Sequence, residues 1–219
     1  FQFAGYRPTI AAMIPRTATA TLESLAADYP VVTVTGPRQS GKTTLCRACF
    51  PDKAYVNLEQ PDVRAFALED PRAFLRTYST GAILDEFQRT PDLPSFLQDM
   101  VDEDPTPGRF ILTGSEQLEV LNRVSQSLAG RTGLLRLLPF SIEEMSGHFG
   151  PIEPMRLIRT GFYPRIHDRG LDPAQALGDY FATYVQRDVR ALHNIGDLVT
   201  FERFVRLAAG RCGQLLNLS

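Results

Sequence analysis

Cysteine is scarce in this chain, long apolar runs are missing, and neither sign of charge dominates. Three cysteines, Cys46, Cys49 and Cys212, are too few and too odd in number for a disulfide framework, which points to a reducing compartment such as the cytoplasm. No apolar run approaches the roughly 20 residues of a membrane span, so no membrane partner is expected. The opening "FQFAGYRPTIAAM" has neither the basic leader nor the long apolar segment of a signal peptide, and Met13 is a candidate native start. A net charge of -2 argues against a global basic field and leaves a local nucleic-acid patch open. What remains is an ordinary globular composition, 43% hydrophobic and 22% charged over 219 residues, enough for one domain of moderate size.

Five short apolar runs stand out: Val31–Thr35, Ala54–Leu58, Ala82–Leu84, Arg109–Thr113 and Leu134–Leu138. Each is about strand length and nearly continuously apolar, as in a parallel sheet covered on both faces. Helical patterns fall between them: Thr43–Cys49, Asp62–Tyr78 broken by Pro71, Asp92–Val101, and Glu116–Ala129 with Leu118, Leu121, Val124 and Leu128 at helical spacing. This alternation reads as repeated βαβ units of an α/β fold. After Pro139 the texture changes, and "SGHFGPIEP" and "GFYPRIHDRGLDP" read as loops. Asp172-Pro173 then opens a helix with Leu177, Tyr180, Phe181, Tyr184, Val185, Val189 and Leu192 on one face, and a second helix runs from Asp197 to Ala209, with Gly210 as its stop. The reading divides the chain into residues 13–150 and a small helical domain, residues 151–219.

One motif carries strong chemistry. Gly36-Pro37-Arg38-Gln39-Ser40-Gly41-Lys42-Thr43 fits G-x-x-x-x-G-K-S/T without a mismatch, between an apolar strand and a helix. Glycines let the backbone curl so that successive N–H groups, through Thr44, point at phosphate oxygens. The helix N-terminus adds partial positive charge. Lys42 brings a mobile charge to the β- and γ-phosphates, and the Thr43 hydroxyl is a magnesium ligand.

"GAILDEF" places Asp85 and Glu86 at the end of the third apolar run. An Asp there holds magnesium, and a Glu beside it polarises an attacking water. The N-K-x-D base-reading signature of GTPases does not occur. The acceptor pocket and lid of a small-molecule kinase are not excluded by sequence, so phosphotransfer stays open, although the acidic pair suits water.

With both motifs in place, the chain resembles the prokaryotic AAA+ ATPases related to the Orc and STAND branches. The matching stretches are "GPRQSGKTTL", "YVNLEQPD", "ILDEFQRTPDL", "FILTGS", "LAGRTGLLRLLPFS", "GFYPR" and "YFATYVQRDVRAL". The resemblance implies a P-loop fold with strand order 5-1-4-3-2, ATP and Mg2+ as ligands, and members that continue into a winged-helix segment where this chain stops. It implies Thr113 or Ser115 as the group that feels the γ-phosphate or holds the water, with a helix cap as the plainer role for "GSEQ". Arg131 takes the place of an arginine finger reaching into a neighbouring subunit, against the plainer role of a cation at a helix C-terminus. For Glu59 the resemblance leaves open magnesium binding or gating of Glu86, beside the plainer role of a strand-end carboxylate. Gly161–Pro164 resembles a nucleotide-sensing Gly-x-Pro loop with one residue added, and Arg165, Arg203 and Arg206 compete as second sensor.

The expected function is Mg-dependent ATP hydrolysis coupled to domain movement, with a protein or DNA client and a homo-oligomer assembled through Arg131. The alternative is a slowly hydrolysing ATP/ADP switch or scaffold. Cys46-x-x-Cys49 has no second pair to complete a zinc site and reads as small core filling. His148, His167 and His193 are scattered, and "VQRDVRAL" reads as a solvated face.

Overall fold

The computed structural model describes residues 14–115, 126–184 and 197–214. Its centre is a parallel five-stranded sheet, β1 (Val31–Gly36), β2 (Ala54–Asn57), β3 (Ala82–Asp85), β4 (Phe110–Ser115) and β5 (Thr132–Arg136), in the order β2-β3-β4-β1-β5. That is the order 5-1-4-3-2 read from the other edge, as the family resemblance implies.

Alternation along each strand feeds two separate cores. Ala82, Leu84, Phe110 and Leu112 face one side and pack with Phe74, Leu75, Leu93, Leu97 and Val101. These belong to α4 (Pro71–Thr77) and α5 (Leu93–Glu103), which follow α3 (Pro61–Glu69). Ile83, Ile111, Val32 and Val34 face the other side and meet Leu22, Leu45 and Cys46. Those come from α1 (Ala18–Asp28) and α2 (Lys42–Cys49). Both faces are covered, which is why the strands read as continuous apolar runs. Cys46 is core filling, as expected.

Pro71 divides the expected Asp62–Tyr78 helix into α3 and α4, and Asp70 caps the second by accepting from the Ala73 amide at 2.9 Å.

The stretches expected to be loops are partly helical. Helix α6 (Ile142–Phe149) starts in a capping box: Ser141 and Glu144 bond each other's backbone N–H groups. Helices α7 (Pro154–Thr160) and α8 (Pro164–Arg169) each carry proline in the first turn, where its missing N–H costs nothing. The Gly and Pro residues read as loop texture are the punctuation of short helices. Helix α9 (Pro173–Tyr184) and helix α10 (Leu198–Ala209) match the expected pair as far as they are described. Most of the expected Glu116–Ala129 helix, Val185, Val189, Leu192, His193 and the "VQRDVRAL" face lie outside the described residues.

Arg16 ties these parts together. Its guanidinium donates to the Ser40 carbonyl at 2.8 Å, to the Leu138 carbonyl at 2.6 Å and to Glu144 at 3.1 Å. It thereby joins the segment before α1, the loop after β1, the exit from β5 and the start of α6.

Candidate active site

The loop Gly36–Lys42 leaves the carboxyl end of β1, where ligands gather in open α/β sheets. Gly41 holds φ 93, a left-handed conformation that suits glycine, and it directly precedes α2. Gln39 is also left-handed at φ 60, a backbone state that residues with side chains adopt mainly where the surroundings impose it. The first N–H groups of α2 have no partner inside the helix. Lys42 is buried, and its ammonium donates to the Gly36 and Pro37 carbonyls at 3.0 and 2.9 Å. Burial lowers its pKa, against the opposing pull of Glu86 and Asp85.

Asp85 ends β3 and is buried. Its carboxylate accepts from the Thr43 hydroxyl at 3.1 and 3.0 Å, from the Tyr55 hydroxyl at 2.7 Å and from the Thr113 hydroxyl. The expected metal-binding pair, Thr43 and Asp85, is thus in contact. Burial raises the Tyr55 phenol above its ordinary pKa, and its bond to Asp85 adds to this.

Glu86, one residue on, has left-handed backbone at φ 57 and opens a single 3-10 turn, Phe87–Arg89. The Gln88 amide donates to the Glu86 carboxylate and, at 3.2 Å, to the Ser115 hydroxyl. Gly114 makes room for this: a Cβ there would lie 2.4 Å from the Gln88 side-chain oxygen.

A cleft of about 640 Å³ lies over the loop, lined on one side by Arg38, Lys42, Thr43 and Glu86. Its other wall is Pro164, Arg165, Asp168 and Arg169 of α8, with Tyr180 and Tyr184 of α9. Of the three second-sensor candidates, Arg165 lines this cleft, while Arg203 and Arg206 are not among its lining residues. Burial raises the Asp168 pKa, against the pull of His167, His148, Arg16 and Arg169.

Two expected residues sit elsewhere. Arg131 precedes β5, at the amino end of a strand parallel to β1. The length of β1 separates it from the phosphate loop, about 20 Å for six residues. Its side chain forms a bidentate pair with Asp102 at 2.5 and 2.8 Å. Glu59 accepts from Arg89 at 3.2 Å.

Sequence reasoning did not find Tyr55, Gln88, Arg16, Asp168 or Arg169 as site residues. The first two depend on strand register and turn geometry. The last two lie in a stretch whose texture reads as a loop.

Residues 28–146 match the AAA domain family. The chain belongs to that family. Residues 153–219 of this AAA protein match a domain of unknown function, DUF8612. The uncharacterized proteins Rv2008c of Mycobacterium tuberculosis and Mb2031c of Mycobacterium bovis are each 34% identical over 192 residues, covering 86% of the AAA chain and 42% of the relative. The chain therefore spans less than half the length of these relatives. Among solved structures, the Walker-type ATPase PABY2304 of Pyrococcus abyssi is similar in fold, with a TM-score of 0.57 and 15% identity, over 88% of this chain and 79% of that one. The AAA chain thus shares the fold of that Walker-type ATPase. No described helix is long and apolar enough to cross a membrane.

Proposed function

We propose that this chain binds ATP with Mg2+ and hydrolyses it, and that the α8–α9 wall moves with the state of the nucleotide. The observation that carries the reading is the convergence of Lys42, Thr43 and Glu86 on one cleft, with Asp85 in contact with Thr43. The loop amides from Gly36 to Thr44, including those of Arg38, Gln39, Ser40 and Gly41, cradle the phosphates, and Lys42 exchanges its loop carbonyls for phosphate oxygens.

The oxygen donors fit Mg2+. Thr43 and Asp85 supply one hydroxyl and one carboxylate, and no cluster of three His, Cys, Asp or Glu occurs among the described residues. This suits an ion that takes one or two protein carboxylates and completes its shell with phosphate and water. Bound there, it would neutralise charge developing on the phosphate oxygens.

Glu86 is the general base for the attacking water, and Ser115, linked to it through Gln88, senses the γ-phosphate. Arg165 and Arg169 contact phosphate from the opposite wall, so loss of the γ-phosphate frees that wall to shift. Arg131 lies too far from its own loop to act there, and serves the site of a second copy once released from Asp102. The protein works in the cytoplasm and passes its motion to a protein or DNA client.

The test is phosphate release across protein concentration. Glu86→Gln should retain ATP binding and lose about 10²–10⁴-fold in turnover; turnover equal to the parent rejects the mechanism. Arg131→Ala should remove the rise of specific activity with concentration, a loss of up to about 10³–10⁵-fold for an arginine supplied in trans. If Arg131→Ala changes neither turnover nor self-association, the slow nucleotide switch replaces the shared-site ATPase, a reading favoured by the ion pair that holds Arg131 to Asp102.

A further inference from the structure

Asp85 receives hydroxyls from three elements, and they divide between its two oxygens. Thr113 of β4 donates to Oδ1, Tyr55 of β2 donates to Oδ2 at 2.7 Å, and Thr43 of α2 is shared between both at 3.1 and 3.0 Å. Register explains why Tyr55 reaches so far. Tyr55 pairs with Ile83 and Asn57 pairs with Asp85 in parallel strands, so all four side chains share one face. The phenol spans the diagonal, two residues along the neighbouring strand, a reach available to a long aromatic side chain. The Arg47 guanidinium lies over the ring, 4.7 Å from its centroid, and holds it from the α2 side.

We infer that Tyr55 is a positioning residue for the metal-binding carboxylate, fixing the plane of Asp85 from the outer strand. This deepens the proposed function and rests on the reading of Thr43 and Asp85 as the metal ligands. Thr43 cannot both orient Asp85 as before and turn its oxygen to a cation. The two sheet donors remain, one on each carboxylate oxygen, and together they prevent rotation about the Cβ–Cγ bond. Tyr55 is the outer member of this pair and borders an open groove of about 460 Å³ with Arg47, Phe50 and Lys53. Partners that orient a ligating carboxylate are commonly worth about 10–100-fold in metal affinity.

Tyr55→Phe removes the hydroxyl and keeps the ring under Arg47. Mn2+ binding to the chain with ADP, read by electron paramagnetic resonance, should weaken about 10–100-fold. ADP affinity in EDTA and the urea midpoint should match the parent. An unchanged Mn2+ affinity overturns the inference. So does an equal loss of ADP affinity in EDTA, which marks a merely structural role. Should Tyr55→Phe fold poorly, Arg47→Ala frees the ring instead, and it must weaken Mn2+ binding in the same direction or the inference fails. A parent chain showing no Mn2+-dependent ADP binding rejects the proposed function itself, which separates the two failures.

Discussion

The sheet and the helices beyond Pro139 hold their shapes by different means. In the sheet, Val31, Val32, Val34, Ile83, Leu84, Phe110 and Ile111 have no exposed surface, and each large side chain buried in this way contributes about 1.5–3 kcal/mol. In α9 and α10 no residue is buried, and Val199, Phe204 and Leu207 of α10 are more than half exposed. The short helices between, α6 to α8, bury one or two side chains each; Ser141 caps α6 and Glu153 caps α7, while α8 has no side-chain cap. The comparison bears on catalysis. Of the groups that need exact placement, Asp85 and Glu86 stand at the end of β3 and Lys42 opens α2, next to a sheet packed on both faces. The groups proposed to respond to the nucleotide, Arg165 and Arg169, stand on a six-residue helix with no side-chain cap, anchored by the buried Pro164 and Ile166 and leading into α9, where nothing is buried. Lightly held elements are those from which moving parts are drawn.

If that contrast is right, the polar tie between the two regions should be the costliest single point to cut. Glu144 accepts from the Ser141 and Thr17 amides at 2.8 Å each and from Arg16 at 3.1 Å, with both charged side chains buried. Glu144→Ala strands the Arg16 guanidinium, and removing one partner of a buried pair costs about 3–5 kcal/mol. Urea unfolding should show the loss as a lower midpoint. Burial alone would raise the Glu144 pKa, yet the Ser141 and Thr17 amides and Arg16 bring it below the ordinary value. The sign follows: a depressed folded pKa stabilises above the unfolded value, near 4.3 for Glu, and that stability is lost as pH falls through the folded pKa. The gap between parent and Glu144→Ala should therefore narrow in acid. A gap constant from pH 7 to pH 3 removes Glu144 from the seam.

The same contrast explains what could be read from sequence. The strands were legible because burial on both faces leaves continuous apolar runs, and each run lies within one or two residues of its strand. The loop and the acidic pair were legible because their chemistry permits few residue types at fixed spacing. Strand order came from the family resemblance, since local pattern does not specify which runs pair. Helices α6 to α8 were hidden because helices of six to eight residues have too few apolar positions to show a period, while their boundary Gly and Pro residues imitate loops. The Ser141–Glu144 capping box was the available signal. Tyr55 depended on register between β2 and β3, and Arg16 meets Glu144 across 128 positions of chain. Neither is a local property.

The smallest expected effect gives the sharpest form of the comparison. Asp70 and Asp197 do the same local work: each caps a helix, accepting from Ala73 at 2.9 Å in α4 and from Val199 at 2.9 Å in α10. Replacing an Asp cap by Ala costs about 1 kcal/mol of helix stability wherever it occurs. In α4, which carries the buried Phe74 and Leu75, that cost is felt by the whole sheet region, so Asp70→Ala should lower the global urea midpoint. In α10, with nothing buried, the helix opens without the rest, and Asp197→Ala should leave the global midpoint within about 0.5 kcal/mol of the parent. Its effect should instead be faster amide exchange confined to residues 198–209. Equal shifts of the global midpoint by both substitutions would mean that α10 unfolds together with the sheet, and the two regions would then be one cooperative unit.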